Sequence, residues 1–218
     1  MRALAVPLLR RLLLLLLFAA PTARAEGEQA GAFDYYILSL SWSPTFCALD
    51  GDARRNDQCD SRHDHSFTLH GLWPQRESGW PSDCRTGERD PSRAQTRAMA
   101  DIMGSAGLAW HQWKKHGRCS GLSAADYFEA SRRAYESIVI PEIFRTLRRD
   151  VTLPASVVEA AFVEANPGLA AEMVTITCKA GRIQEARVCL AKDLSPRPCG
   201  IDASRDCRMP DALMAAIR

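Results

Sequence analysis

Asp34-Tyr35-Tyr36-Ile37-Leu38-Ser39-Leu40-Ser41-Trp42-Ser43-Pro44 is the stretch whose reading decides the fold. Tyr36, Leu38, Leu40 and Trp42 alternate with Ile37, Ser39 and Ser41, the period of two that marks a strand. Pro44 has no N–H to give to a ladder and ends it. Residues 66–72 read as a second strand, with Phe67 and Leu69 on one face and Thr68 and His70 on the other. Further out, residues 173–178 and 183–190 form a hairpin about Gly181. Helical spacing fills the gaps. Residues 91–103 take Asp90 as cap and Pro91 as first position. Residues 123–138 open with the capping-box-like Ser123-x-x-Asp126. Residues 156–165 are stopped by Pro167-Gly168. Mixed order and long insertions argue against a βαβ repeat and for an α+β fold.

The ends of the chain narrow its surroundings. Residues 1–25 read as a secretory signal peptide: Arg2, Arg10 and Arg11, a short apolar run over 12–20, a breaking Pro21 and the small-x-small site Ala23-Arg24-Ala25. The run falls well short of the roughly 20 apolar residues that span a bilayer, and nothing downstream is longer, so no membrane contact is expected once the signal is removed. The chain has 28 Lys+Arg and 26 Asp+Glu, and four of the arginines lie in 1–25, leaving 24 basic residues against 26 acidic. Overall charge therefore leaves no nucleic-acid footprint, and any such binding must come from a local patch such as Lys114, Lys115 and Arg118. Residues 26–218 suit one domain with a real core. They hold all 8 cysteines, an even number behind a signal peptide, which favours four disulfides. No C-x-x-C pair exists, so zinc is a weak competitor, and spacing leaves on the order of a hundred pairings open. The Ala/Arg-rich composition and the lack of an Asn-x-Ser/Thr sequon lean towards a periplasmic or secreted bacterial protein.

Two segments carry chemistry. In Phe67-Thr68-Leu69-His70-Gly71-Leu72-Trp73-Pro74-Gln75, a histidine on the polar face of a strand precedes a glycine that lets a ligand approach and a tryptophan able to stack on a base. In Trp110-His111-Gln112-Trp113-Lys114-Lys115-His116-Gly117-Arg118-Cys119, a helix turning about 100° per residue gathers His111, Gln112, Lys115 and His116 within about 140°. It sends Trp110 and Trp113 to the opposite, core side. Each histidine taken singly also fits a structural, hydrogen-bonded role. His111 and His116 are five apart rather than four, which does not suit a helical zinc pair. His63-Asp64-His65 lacks a third ligand nearby in sequence. No metal or cofactor is expected.

Those two segments, with the opening strand, resemble the active-site segments and first core strand of the ribonuclease T2 family. The resemblance runs from about Phe33 to Cys207. It implies a single disulfide-stapled domain, a central antiparallel sheet with flanking helices, and metal-independent cleavage of single-stranded RNA through a 2′,3′-cyclic phosphate; the mature chain is expected to act as a monomer. By position it implies His116 as general base, His70 as general acid, His111 on the phosphate, Lys115 stabilising the crowded phosphorus, and Trp73 in a base site, with Gln75 placed to tune base preference. It also implies the pairs Cys47–Cys59, Cys84–Cys119, Cys178–Cys207 and Cys189–Cys199.

The chemistry supports these roles independently. RNA carries its own nucleophile, the 2′-hydroxyl. One group must take its proton while another gives one to the departing 5′-oxygen, and histidine, with a pKa of about 6.5, suits both tasks at one pH. An ammonium beside the phosphate offsets charge that builds on its oxygens. One departure stands out: Gln112 replaces the glutamate usual in the family. It is the one sequence feature favouring the alternative of an attenuated homologue that binds RNA or a partner without cutting. A disulfide-rich inhibitor or adhesion module with incidental histidines is the other alternative.

Overall fold

The computed structural model describes residues 28–218; the signal peptide expected over 1–25 lies outside them. In chain order the elements are β1 (Tyr35–Trp42), α1 (Ser43–Phe46), β2 (Phe67–Gln75), α2 (Arg93–Arg97), α3 (Ala100–Met103), α4 (Ala106–Lys115), α5 (Ala124–Glu136), α6 (Glu142–Arg145), β3 (Val151–Leu153), α7 (Ala155–Ala165), β4 (Val174–Lys179), β5 (Arg182–Leu190) and β6 (Ala212–Met214).

The four long strands run β2–β1–β5–β4, every neighbour antiparallel. The short antiparallel pair β3–β6 joins through one parallel bridge, Arg182 to Leu213, so the sheet is antiparallel except at that point. Ala180 and Gly181 both have positive φ at the β4–β5 turn, the backbone a tight two-residue hairpin requires. β1 is buried on both faces. Tyr36, Leu38, Leu40 and Trp42 enter the main core with Phe67, Leu69, Phe128 and Phe162, while Tyr35 and Ile37 pack under Cys189 and Ala203. Pro74 is tolerated because β2 is a terminal strand. Two tyrosines of α5 donate to its backbone, Tyr127 to the Leu72 carbonyl at 2.9 Å and Tyr135 to that of Phe67 at 3.3 Å.

α5 starts where expected, on Ser123, whose hydroxyl accepts from the Asp126 amide at 3.2 Å. The helix expected over 91–103 is two helices. Its cap is Ser92, in a reciprocal box with Gln95, rather than Asp90. It breaks after Ala98 because Arg132 of α5 takes the Ala98 carbonyl at 2.8 Å and pairs with Asp101 at 2.7 Å. Asp90 does other work: it accepts from the Trp113 indole at 2.8 Å and from Arg118 at 2.7 Å, fastening the back of α4.

All eight cysteines are paired, as Cys47–Cys59, Cys84–Cys119, Cys178–Cys207 and Cys189–Cys199. The second joins the end of the α4 segment to the loop after β2. The last two tie both ends of 199–207 to the β4–β5 hairpin. Among the described residues no helix is long and apolar enough to cross a membrane.

Candidate active site

β1 contributes Ile37 to the site and aligns the strands on either side of it. Ser39 and Ser41 lie opposite Arg187 and Glu185 of β5, and Ser39 opposite Gly71 of β2. β2 slips register at Ser39/Leu40, so Ser39 pairs with Gly71 and Leu40 with Leu69. His70 is the residue left between those pairs. A bulge re-aims one side chain and switches the alternation that follows. Leu69 and Leu72 are thereby both in the core, while Trp73 and Gln75 join His70 at one cleft of about 350 Å³.

α4 forms the other wall. Ser105 caps it, accepting from the Leu108 amide at 3.2 Å. His111, Gln112 and Lys115 face the cleft, and His116 caps the helix C-terminus with φ −121° and ψ −46°. Trp113 is fully buried behind them, but Trp110 is 38 % exposed: one indole anchors the helix, and the second, three residues back at its rim, extends past the edge of the core. Lys114 is exposed and Arg118 is held by Asp90 away from the cleft, so of the three expected basic residues only Lys115 lines it.

Trp73 is the hub. Its indole N–H donates to Gln112 Oε1 at 2.7 Å. Its ring meets His70 edge-on with centroids 5.1 Å apart and lies near-parallel to His116 at 5.2 Å. Gly71 makes this possible, because a Cβ there would come within 2.3 Å of Gln112 Oε1 and 2.4 Å of Trp73 Nε1. The glycine expected to admit a ligand instead admits this hydrogen bond.

The electrostatics separate the histidines. His70 Nδ1 is 2.6 Å from Glu185 Oε1, and Arg187 donates to Glu185 Oε2 through Nε at 2.9 Å and Nη2 at 2.6 Å. Burial pushes the Glu185 carboxyl up, but the bond and charge of His70, with Arg187, outweigh it and hold the group at about 2. His116 is buried, and its Nδ1 has no hydrogen-bond partner among the described residues. Burial, then the charges of Lys115, His70 and His111, push His116 down to about 3. His111 is also lowered, by burial and by Lys115 and His70.

The ribonuclease T2 family model matches residues 33–199. The chain belongs to the ribonuclease T2 family. Two relatives among known proteins are the ribonuclease of Aeromonas hydrophila, 46 % identical over 106 residues (49 % of this chain, 46 % of that one), and ribonuclease I of Escherichia coli (strain K12), 26 % identical over 211 residues (76 % and 77 %). The chain spans about half the length of the first curated relatives it matches. The fold is that of the RNase-related protein from Calystegia sepium, with a TM-score of 0.65 at 20 % identity over 85 % of this chain and 97 % of that one.

Gln112 accepts from the Trp73 indole through Oε1, an oxygen a glutamate would also offer, while carrying an uncharged NH2 in place of the second carboxylate oxygen. Sequence reading missed Glu185, Arg187, Trp80 and Asp202. Glu185 and Arg187 are two apart on a strand otherwise rich in buried apolar residues, so a same-face charge pair inside β5 was the available signal. Trp80 and Asp202 line the far end of the cleft, and their loops carry no periodicity that would mark them.

Proposed function

We propose that this protein is an endoribonuclease that cuts single-stranded RNA by transphosphorylation, leaving 2′,3′-cyclic phosphate ends and using two histidines and no metal or cofactor. The observation that carries this reading is that His70, from a strand, and His116, from a helix end, border one cleft on either side of Trp73 with His111 and Lys115 beside them. Membership of the ribonuclease T2 family supports it.

His116 takes the 2′-hydroxyl proton as that oxygen attacks phosphorus. The bond from phosphorus to the 5′-oxygen breaks, and His70 gives that oxygen its proton. His116 suits the first role because it is held neutral. The cations that depress it are the groups an RNA phosphate would neutralise, so a phosphate between Lys115 and His111 raises its basicity. Lys115 offsets charge on the nonbridging oxygens. Gln112 fixes Trp73, whose ring is already flanked by His116, His70 and Arg187 and would meet a base through its cleft-facing part, with Gln75 beside it. We read the mature chain as a monomer exported to the periplasm or exterior, free of the membrane.

Oxidised residues 26–218 should yield cyclic-phosphate ends from single-stranded RNA in excess chelator, and His116→Ala should not. RNA binding without cleavage by the unmutated protein would transfer the reading to a binding homologue.

A further inference from the structure

Beside His70 lies an ion pair that the proposed chemistry does not use. Glu185 is 2 % exposed, and a carboxylate is not buried unless donors satisfy it. It has three, His70 Nδ1 on one oxygen and two guanidinium nitrogens of Arg187 on the other. An ionised carboxylate only accepts, so the ring nitrogen facing it must carry a proton. Nε2 is then the His70 atom free to gain and lose a proton. Arg187 is anchored in turn, with its guanidinium 5.2 Å from the Trp73 ring centre.

We propose that Glu185 is a positioning residue for His70: it fixes the ring with Nδ1 protonated, leaves Nε2 for the leaving oxygen, and steadies the doubly protonated ring, while Arg187 holds the carboxylate in place. This rests on His70 being the proton donor. The charged and titratable groups around His70 come from every side. Glu185 and Arg187 belong to β5, and His111, Lys115 and His116 to α4 and its cap. Lys179 of β4 and Asp50, an ion pair at 3.7 Å, line a second cavity of about 250 Å³ that His70 also borders. Glu185 is the anion bonded to the ring; Asp50 is already engaged by Lys179.

Nitrogen NMR of the ¹⁵N-histidine-labelled native protein tests the first half, with His70 assigned by its loss in His70→Asn. Neutral His70 is expected as the Nδ1–H tautomer, and a predominant Nε2–H tautomer overturns the proposal. The second half is tested by Glu185→Gln, which preserves shape and removes charge. Its kcat should fall roughly tenfold to a hundredfold, the worth of a hydrogen bond to a charged group. KM should hold within about twofold, the alkaline limb of the kcat profile should move to lower pH, and Glu185→Asp should restore part of the rate. A folded Glu185→Gln with unchanged kcat and profile overturns it. Should that variant fail to fold, the tautomer of the native protein still decides. A native protein that cuts no RNA removes the ribonuclease reading, while the NMR result still judges the hold of Glu185 on the ring.

Discussion

His70 and His116 touch the same tryptophan from opposite surroundings. His70 is one-third exposed and bonded to a carboxylate at 2.6 Å. His116 is buried among Lys115, His70 and His111 with no partner for Nδ1. In the proposed mechanism environment, not residue type, divides the labour: an imidazole with an anion at its back suits proton donation, and one kept neutral by burial and then by neighbouring cations suits proton acceptance. The division is cheap to build here because the two rings come from different layers, so each acquires its surroundings separately.

The hardest way to break this comparison is to remove either ring. His70→Ala and His116→Ala should each lower kcat/KM on single-stranded RNA by about a hundredfold to ten-thousandfold. A variant of either kind within tenfold of the native rate excludes that histidine from proton transfer.

The staple beside His116 is the next target. Cys84→Ser with Cys119→Ser opens a loop of 35 residues and should cost about 4 kcal/mol of unfolding free energy in the chain-entropy model. Urea titration measures it, and a loss near zero would mean the loop is ordered without the bridge.

Acid stability sharpens the contrast. His116 has a folded value of about 3 against 6.5 when unfolded. Below pH 6.5 the unfolded chain takes up a proton that the fold refuses, so stability falls with pH down to about 3, by about 1.4 kcal/mol per unit. Glu185 adds a further loss as pH falls from 4.5 through about 2. In urea midpoints taken between pH 6.5 and 4.5, His116→Asn should flatten the slope. An equal slope in both proteins would contradict the burial argument.

Gly71→Ala tests the contact between the walls. The Cβ would drive Gln112 from Trp73, at a cost of about 1–3 kcal/mol for overpacking, read from thermal unfolding. The smallest effect belongs to Gln112→Glu. It keeps the acceptor for Trp73 and adds a negative charge near His116. The acid limb of kcat/KM should move to higher pH by about one unit, and an unmoved limb would show the charge to be irrelevant.

How much of this was legible depends on distance along the chain. The strand 35–42, the Ser123 cap and the Gly181 turn are local and could be read directly, and the helical arc of His111, Gln112, Lys115 and His116 was real. What escaped was long-range. The helix over 91–103 breaks because Arg132 takes a carbonyl 34 residues away. Glu185 meets His70 across 115 residues. The bulge at His70 is visible only against the partner strand, and it is what brings His70 and Trp73 to one cleft from positions that strict alternation assigns to opposite faces.

Asp202 and Ala203 stand in the cleft wall on a short segment fastened by Cys199 at one end and Cys207 at the other. Both ends of that segment are covalently tied to the β4–β5 hairpin, which shortens the reach of any movement this wall can make. On that side the doorway is braced by covalent ties and does not depend on side-chain packing alone.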